Sequence, residues 1–188
     1  VLDRAGVSVP RRVTAEDIGD LDAADLSSPL VLKGMGFAHK SEAGAVRLGL
    51  SSLAEVEPMP GATRYLLEEM VNGGVAEVLI GMRRDPVYGA TLTLGMGGVE
   101  AELLADTVTL IAPVTSSEIE AALHQLRLWP KLDRFRGRPK ADVGAIVDVA
   151  LKVQDMMIGD AGLSEIEINP LIVKTDGAVA ADALIRKG

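Results

Sequence analysis

The sequence contains no cysteine, only two histidines, and Phe, Trp and Tyr together amount to 3% of it. Without cysteine there is no disulfide, no thiolate metal site and no thiol nucleophile, which fits a reducing cytoplasm. So few aromatics leave no extended stacking surface for single-stranded nucleic acid. A formal net charge of −8 also argues against binding a phosphate backbone. A local basic pocket for a small phosphate compound remains compatible with an acidic whole. No run of 18 or more apolar residues and no signal-peptide pattern is found. The expectation is a cytoplasmic protein with neither a nucleic-acid nor a membrane partner.

What is present is aliphatic. Hydrophobic residues make up 48% of 188 positions, enough for one domain, or two small lobes sharing a core, without staples. The opening LDRAGVSVP resembles the end of a helix entering a strand, so a piece of a longer polypeptide is expected. A polar segment follows, TAEDIGDLDAADLSSP, with Thr14 as a candidate N-cap and Asp17 three residues later. Apolar runs at 29–33 and 46–50 predict two strands, and SSLAEVEPMPGA, broken by Pro58, Pro60 and Gly61, a connector.

From Tyr65 onward the pattern predicts an antiparallel meander. YLLEEMV, AEVLIGMRRD and ATLTLG read as strands, with NGG and PVYG as turns, and VTLIAP as a further apolar run. Ser117 and Glu120 make a capping box ahead of Ile119, Leu123 and Leu126. A second helix is predicted over 141–157 on the stripe Val143, Ile146, Val147, Ala150 and Val153. The chain closes with a hairpin, EIEINPLIVKTDGAVAADALI, turning at Asp176-Gly177. Strands, connecting helices and a closing hairpin make an α+β fold.

Four constellations could carry chemistry. Lys33 ends an apolar strand just before Gly34 and Gly36, where a compact cation can meet a phosphate approached by glycine N–H groups. The commoner role for such a residue is a lysine snorkelling at a strand end, and no GxxxxGK[ST] loop is present. His39, beside Lys40 and Ser41, can accept a phosphoryl group on a ring nitrogen or hydrogen-bond a phosphate, and alone it reads as a plain loop histidine. His124, in a helix among leucines, carries no assigned function.

The closing hairpin is the most informative. A two-residue turn pairs Thr175 with Ala178 and Leu171 with Asp182; a four-residue loop puts Asn169 directly opposite Asp182. Either register leaves Glu167, Asn169 and Asp182 on one face, whereas a three-residue loop does not. Two carboxylates and an amide oxygen suit a hard cation such as Mg²⁺. Glu165 shares that parity, so a plain solvated face is the competing reading. Last, the backbone of Glu69 to Val71 can face a flat heterocycle with Glu77 near a ribose, and the glycines of GMGG (Gly95 to Gly98) signal a tight turn or close approach.

In order, LVLKGMGFAHKSEAGAVRLGL, EEMVNGGVAEVLIGMRRDPVYG, LGMGGVEAELLAD, FRGRP and EIEINPL…AADAL resemble the ATP-grasp domain of NDP-forming (ADP-forming) acyl-CoA synthetases, the acetate–CoA ligase family. The match spans nearly the whole chain. It implies two α+β lobes, approximately 1–64 and 65–188, gripping a nucleotide between antiparallel sheets. It also implies an enzyme joining a carboxylic acid to CoA while ATP goes to ADP and phosphate, through an acyl phosphate and a phosphohistidine. The CoA-binding and main phosphohistidine domains would lie elsewhere, in the same chain or a partner subunit, within a homo-oligomer. By this resemblance Lys33 holds ATP phosphates, His39 handles phosphate, and Glu69, Met70 and Val71 form the adenine hinge. Glu77 matches the glutamate that follows the hinge, and Asn169 and Asp182, with Glu167 as a third, fall where the family places magnesium ligands. The chain departs from the pattern at Gly44-Ala45, where relatives usually carry a glycine pair, and in a shortened segment between Leu50 and Tyr65. A non-catalytic regulatory module fused to an acyltransferase, or a carboxylate–amine ligase of the same fold, are the alternatives. Retention of Lys33, His39, Asn169 and Asp182 argues against the first, and the HKSEAG loop against the second.

Overall fold

The structure, a computed structural model, describes residues 1–36, 44–98 and 105–188. Its described residues divide into two compact units, Pro10–Asn72 and a larger one made of Val1–Val9 with Gly73–Gly188.

The smaller unit is an antiparallel sheet of β1 (Arg12–Ala15), β2 (Leu30–Met35), β3 (Val46–Leu50) and β4 (Arg64–Glu69), in the order β1-β4-β2-β3. Its core gathers Leu30 and Leu32 of β2, Tyr65 and Leu67 of β4, and Leu50, Leu21 and Met59. Side chains alternate along β4, so Leu67 faces this core while Leu66 and Glu68 face the other way. The Tyr65 hydroxyl, at the edge of the core, accepts the Met59 N–H at 3.1 Å.

Three expectations are corrected here. Thr14 does not cap a helix: it lies in β1, paired with Leu66, and only a short 3₁₀ turn forms at Ile18–Asp20. The lobe boundary expected at 64/65 would cut β4 at its start. Pairing with β1 and β2 keeps all of β4 in the smaller unit, while residues 1–9 join the larger one. NGG is therefore not a hairpin turn, because β4 and the strand after it belong to different sheets.

In the larger unit the sheet contains β5 (Ala76–Asp85), β6 (Gly89–Met96), β7 (Thr107–Ile111), β8 (Leu163–Val173), β9 (Ala178–Ala180) and β10 (Ala183–Lys187). Its order is β10-β8-β5-β6-β7, with β9 also pairing β8, and every pairing is antiparallel. Of the meander expected from YLLEEMV through ATLTLG, only the β5-β6 hairpin forms; β4 lies in the other sheet, and β7, read from the sequence only as an apolar run, pairs with β6. Helices α1 (Ser116–Gln125), α2 (Trp129–Leu132) and α3 (Val143–Gly159) complete the unit. Val78, Ile80, Met82, Leu92, Leu94, Ile166 and Ile168 from the strands share one buried cluster with Ile119, Leu123, Ile146, Ala150, Val153 and Met157 from the helices. The α+β expectation is met, with all α-helices of the described residues in this unit.

The start of α1 shows how the core selects a cap. Two hydroxyl–glutamate pairs in TSSEIE fit the capping-box spacing, and Ser117 with Glu120 was the expected one. The structure uses Thr115 and Glu118 instead: Thr115 N–H donates to Glu118 Oε2 at 2.8 Å, and Glu118 N–H to Thr115 Oγ1 at 3.3 Å. Only this choice sets an apolar residue before the cap, Val114, within the same core cluster as the fourth helical residue, Ile119. Val114 is held further by buried Gln154 of α3, whose Oε1 accepts its N–H at 2.6 Å while Nε2 donates to its carbonyl at 3.2 Å. The second helix likewise begins two residues later than expected, where Asp142 accepts the Ala145 N–H at 3.0 Å. At its far end Arg84 of β5 donates to the carbonyls of Met157, Asp160 and Leu163, covering carbonyls that a helix C-terminus leaves unpaired.

Thr115→Ala should cost about 1 kcal/mol of stability in urea unfolding at neutral pH. The Thr115 N–H, and after it the Thr115 hydroxyl, hold the Glu118 carboxyl below its ordinary pKa. A depressed folded-state value contributes stability above the ordinary carboxylate range and loses it as pH falls through the lowered value. The gap between Thr115→Ala and wild type should therefore narrow in acid.

Candidate functional site

Two groups of site residues emerge, one in each unit. In the larger unit, core residues alternate along β5, which leaves Glu77, Leu79 and Gly81 on the opposite side of the sheet. Register places Gly95 beside Leu79, Thr93 beside Gly81, and Glu167 on the other flank of Gly81. Thr93 and Thr109 join hydroxyls at 3.0 Å. Glycines and threonines thus keep this side of the sheet low in relief beside the acidic strand β8.

On β8 the core positions are Ile166 and Ile168, then Leu171 and Val173, so the alternation changes phase between 168 and 171. The pairing with β5 shows why: it shifts between Val78 and Ile80, so that Asn169 and Pro170 together oppose Leu79 alone. That is a β-bulge, which re-aims a side chain. Across the strand on the other flank no such shift occurs. Leu171 pairs with Ala180, Ile168 with Ala183 and Glu167 with Leu184, and the Asn169 N–H donates to the Asp182 carbonyl at 3.1 Å. Asn169 therefore stands directly opposite Asp182. Four residues, 174–177, separate the last ladder pair Val173 and Ala178, with Lys174 N–H donating to the Gly177 carbonyl at 2.8 Å. The two-residue turn at Asp176-Gly177 is corrected, and the four-residue register is the one formed.

The Asn169 side chain is held by the glycine turn. Its Oδ1 accepts the Gly98 N–H at 2.9 Å, and the Gly97 N–H donates to the Glu77 carbonyl at 3.0 Å. A Cβ at Gly97 would lie 2.7–2.9 Å from the Val78 backbone, and one at Gly98, whose φ is +79°, would strike the Glu77 carboxylate. GMGG is thus the close approach that brings Glu77 and Asn169 to one spot. Glycine spacing signalled a close approach, but nothing in the sequence attached Gly98 to Asn169. Asp182 Oδ1 accepts the Ala183 N–H at 3.0 Å. No group of three or more His, Cys, Asp or Glu with metal-holding geometry exists among the described residues. Glu167 and Asp182 offer two acids, and the amide oxygen of Asn169 supplies the third donor. An all-oxygen set of this kind fits a hard divalent cation that takes its remaining ligands from water or phosphate.

In the smaller unit Lys33 is buried, 7% exposed, and its Nζ lies 2.5 Å from Oε2 of Glu68, itself 5% exposed. Glu68 drew no attention in the sequence. Its signal was the doubled glutamate in YLLEEMV, which on a strand must send one carboxylate to each face. The other, Glu69, accepts the Ser27 N–H at 2.9 Å and lies 3.5 Å from Arg11 Nη1. The hinge backbone is partly committed: Glu69 N–H donates to the Arg11 carbonyl and Met70 N–H to the Pro29 carbonyl. Among the described residues the N–H and carbonyl of Val71 carry no hydrogen bond. His39 lies outside the described residues.

A family model described as an ATP-grasp domain matches residues 1–186. The chain is 34% identical to the beta subunit of acetate–CoA ligase (ADP-forming) II of Pyrococcus furiosus, over 93% of this chain and 78% of that subunit. It is 31% identical to acetate–CoA ligase (ADP-forming) I of Archaeoglobus fulgidus, over 97% of this chain but 29% of that protein, so it spans under a third of that relative. Among solved structures, an acetyl-coenzyme A synthetase 1 of Ca. Korarchaeum cryptofilum matches with a TM-score of 0.85 and 27% identity, covering 100% of this chain and 88% of that one. That structure holds coenzyme A and Mg-AMPPCP, with a phosphohistidine segment pointing towards its nucleotide binding site.

Gly98→Ala should both destabilise the fold by roughly 1–3 kcal/mol, since it forces a side chain into the left-handed region, and displace Glu77. Urea unfolding checks the first effect, and a shifted Asn169 side-chain amide resonance checks the second.

Proposed function

The chain belongs to the ATP-grasp domain family of ADP-forming acyl-CoA synthetases, and we propose that it is the nucleotide-binding part of an enzyme joining a carboxylic acid to CoA as ATP becomes ADP and phosphate. The observation that carries the site assignment is the β8 register, which sets Asn169 opposite Asp182 with Glu167 two residues along the strand. These three residues would hold Mg²⁺. When bound, that ion would neutralise phosphate charge.

The other roles follow from the side chains themselves. Lys33 donates to the ATP phosphates and stabilises the charge they develop during transfer. The backbone from Glu69 to Val71 forms the adenine hinge, with Val71 as its uncommitted donor and acceptor among the described residues, and Glu77 meets the ribose. His39 handles the transferred phosphoryl, as a contact or as a covalent relay on its ring nitrogen. The CoA-binding and phosphohistidine-bearing domains are supplied by the rest of the polypeptide or by a partner subunit, in a homo-oligomer working in the cytoplasm. The beta-subunit status of the Pyrococcus relative supports that division of parts. No helix of the described residues is long and apolar enough to cross a membrane.

Incubating the complete protein with ATP, CoA and a panel of carboxylic acids should yield acyl-CoA and ADP. An amide with ADP would identify a carboxylate–amine ligase, and no turnover with any acid would favour a regulatory module. Asp182→Ala and Asn169→Ala should each lower Mg²⁺-dependent ATP turnover by about 100-fold or more; wild-type turnover in either variant removes the metal assignment. His39→Ala should abolish phosphoryl exchange between ATP and ADP while leaving ATP affinity within about threefold, and normal exchange reduces His39 to a bystander.

A further inference from the structure

Register decides which of the two adjacent glutamates in β4 can reach Lys33. Val31 pairs with Glu68 and Lys33 with Leu66, so Lys33 and Glu68 lie on one face of the sheet, one pair apart along the diagonal. Glu69 lies on the other face and is occupied with the Ser27 N–H and Arg11. Both members of the Lys33–Glu68 pair are buried, and a buried ammonium without an anion beside it is strongly disfavoured. An ammonium has three protons to donate, so pairing with Glu68 is compatible with donation to a phosphate as well. Glu68 is also the residue immediately before Glu69–Val71.

We propose that Glu68 is a positioning residue: it helps set the Lys33 ammonium where it can meet the nucleotide phosphates, and it ties that cation to the strand that leads into the adenine hinge. The proposal rests on the nucleotide-binding role given above to Lys33. Glu68 touches neither phosphate nor metal in this account and acts through the lysine alone. A four-carbon lysine stem has several rotamers, and a carboxylate that helps fix it beforehand lowers the cost of ordering it when phosphate arrives.

Two readouts on the complete polypeptide test this: ATP affinity by calorimetry with Mg²⁺ present, and the rate at which Lys33 is reductively methylated, followed by mass spectrometry without nucleotide. Glu68→Ala should weaken ATP binding about tenfold and speed methylation of Lys33 while Lys131 and Lys152 keep their rates. Glu68→Gln keeps an oxygen for the ammonium to donate to but not the charge, so its ATP affinity should fall between those of wild type and Glu68→Ala. If Glu68→Ala does not fold, Glu68→Asp carries the same test, because it keeps the charge but withdraws it by one methylene; weaker ATP binding and faster Lys33 methylation are again expected. Unchanged ATP affinity in a folded Glu68→Ala or Glu68→Asp protein overturns the inference alone. So does weakened affinity with Lys33 methylated as in wild type. Failure of the wild-type protein to bind ATP overturns the nucleotide-binding reading and this inference together.

Discussion

Strand β8 is the constraint on which the larger unit depends. It pairs with β5 on one side and with β9 and β10 on the other, and the two sides obey different registers. Against β5 it bulges at Asn169-Pro170; against β9 and β10 it runs without a shift from Val173 to Glu165. A one-residue slip on either side would turn Ile166, Ile168 and Leu171 out of the core, where each is fully buried. Core packing therefore fixes the register, and the register then fixes Asn169 across from Asp182. The candidate metal ligands are placed by hydrophobic burial they take no part in.

The smaller unit repeats this logic with charge. Alternation on β4 divides Glu68 from Glu69, so one carboxylate anchors a buried lysine and the other fastens the loop at Ser27. The family model over residues 1–186 is that of an ATP-grasp domain, the family the sequence resembles. In each unit the polar side chains are built on strands rather than on loops, which holds each group in a fixed geometry.

Much of this was legible in the sequence where a physical pattern was local. Strand β2 follows from a continuous apolar run, the β5-β6 hairpin from period-two burial, and the helical stripe of Ile146, Val147, Ala150 and Val153 from period-3.6 burial, and these formed as expected. The parity argument for Glu167, Asn169 and Asp182 worked because the turn length had only a few values, although the preferred two-residue turn was not the one formed. What failed depended on distant partners. Thr14 fits an N-cap by type, yet pairing with β4 makes it a strand residue. Ser117 and Thr115 offer equal capping chemistry, and the choice rests on Val114 meeting the core. β4 and β5 read as a hairpin because nothing local says that two strands joined by NGG enter different sheets. Glu68 and Gly98, neither singled out as a site residue, show their roles only beside Lys33 and Asn169, 35 and 71 residues away in sequence.

The central claim is that the Asn169–Asp182 pairing is a magnesium site serving a bound nucleotide. A crystal structure of the complete polypeptide with Mg²⁺ and a non-hydrolysable ATP analogue tests it most directly. The account predicts a metal ion about 2.0–2.2 Å from a carboxylate oxygen of Asp182 and from Asn169 Oδ1, its remaining ligands being phosphate oxygens, Glu167 or water. A nucleotide-bound metal coordinated by other side chains, with Asn169 and Asp182 left to one another, would contradict it.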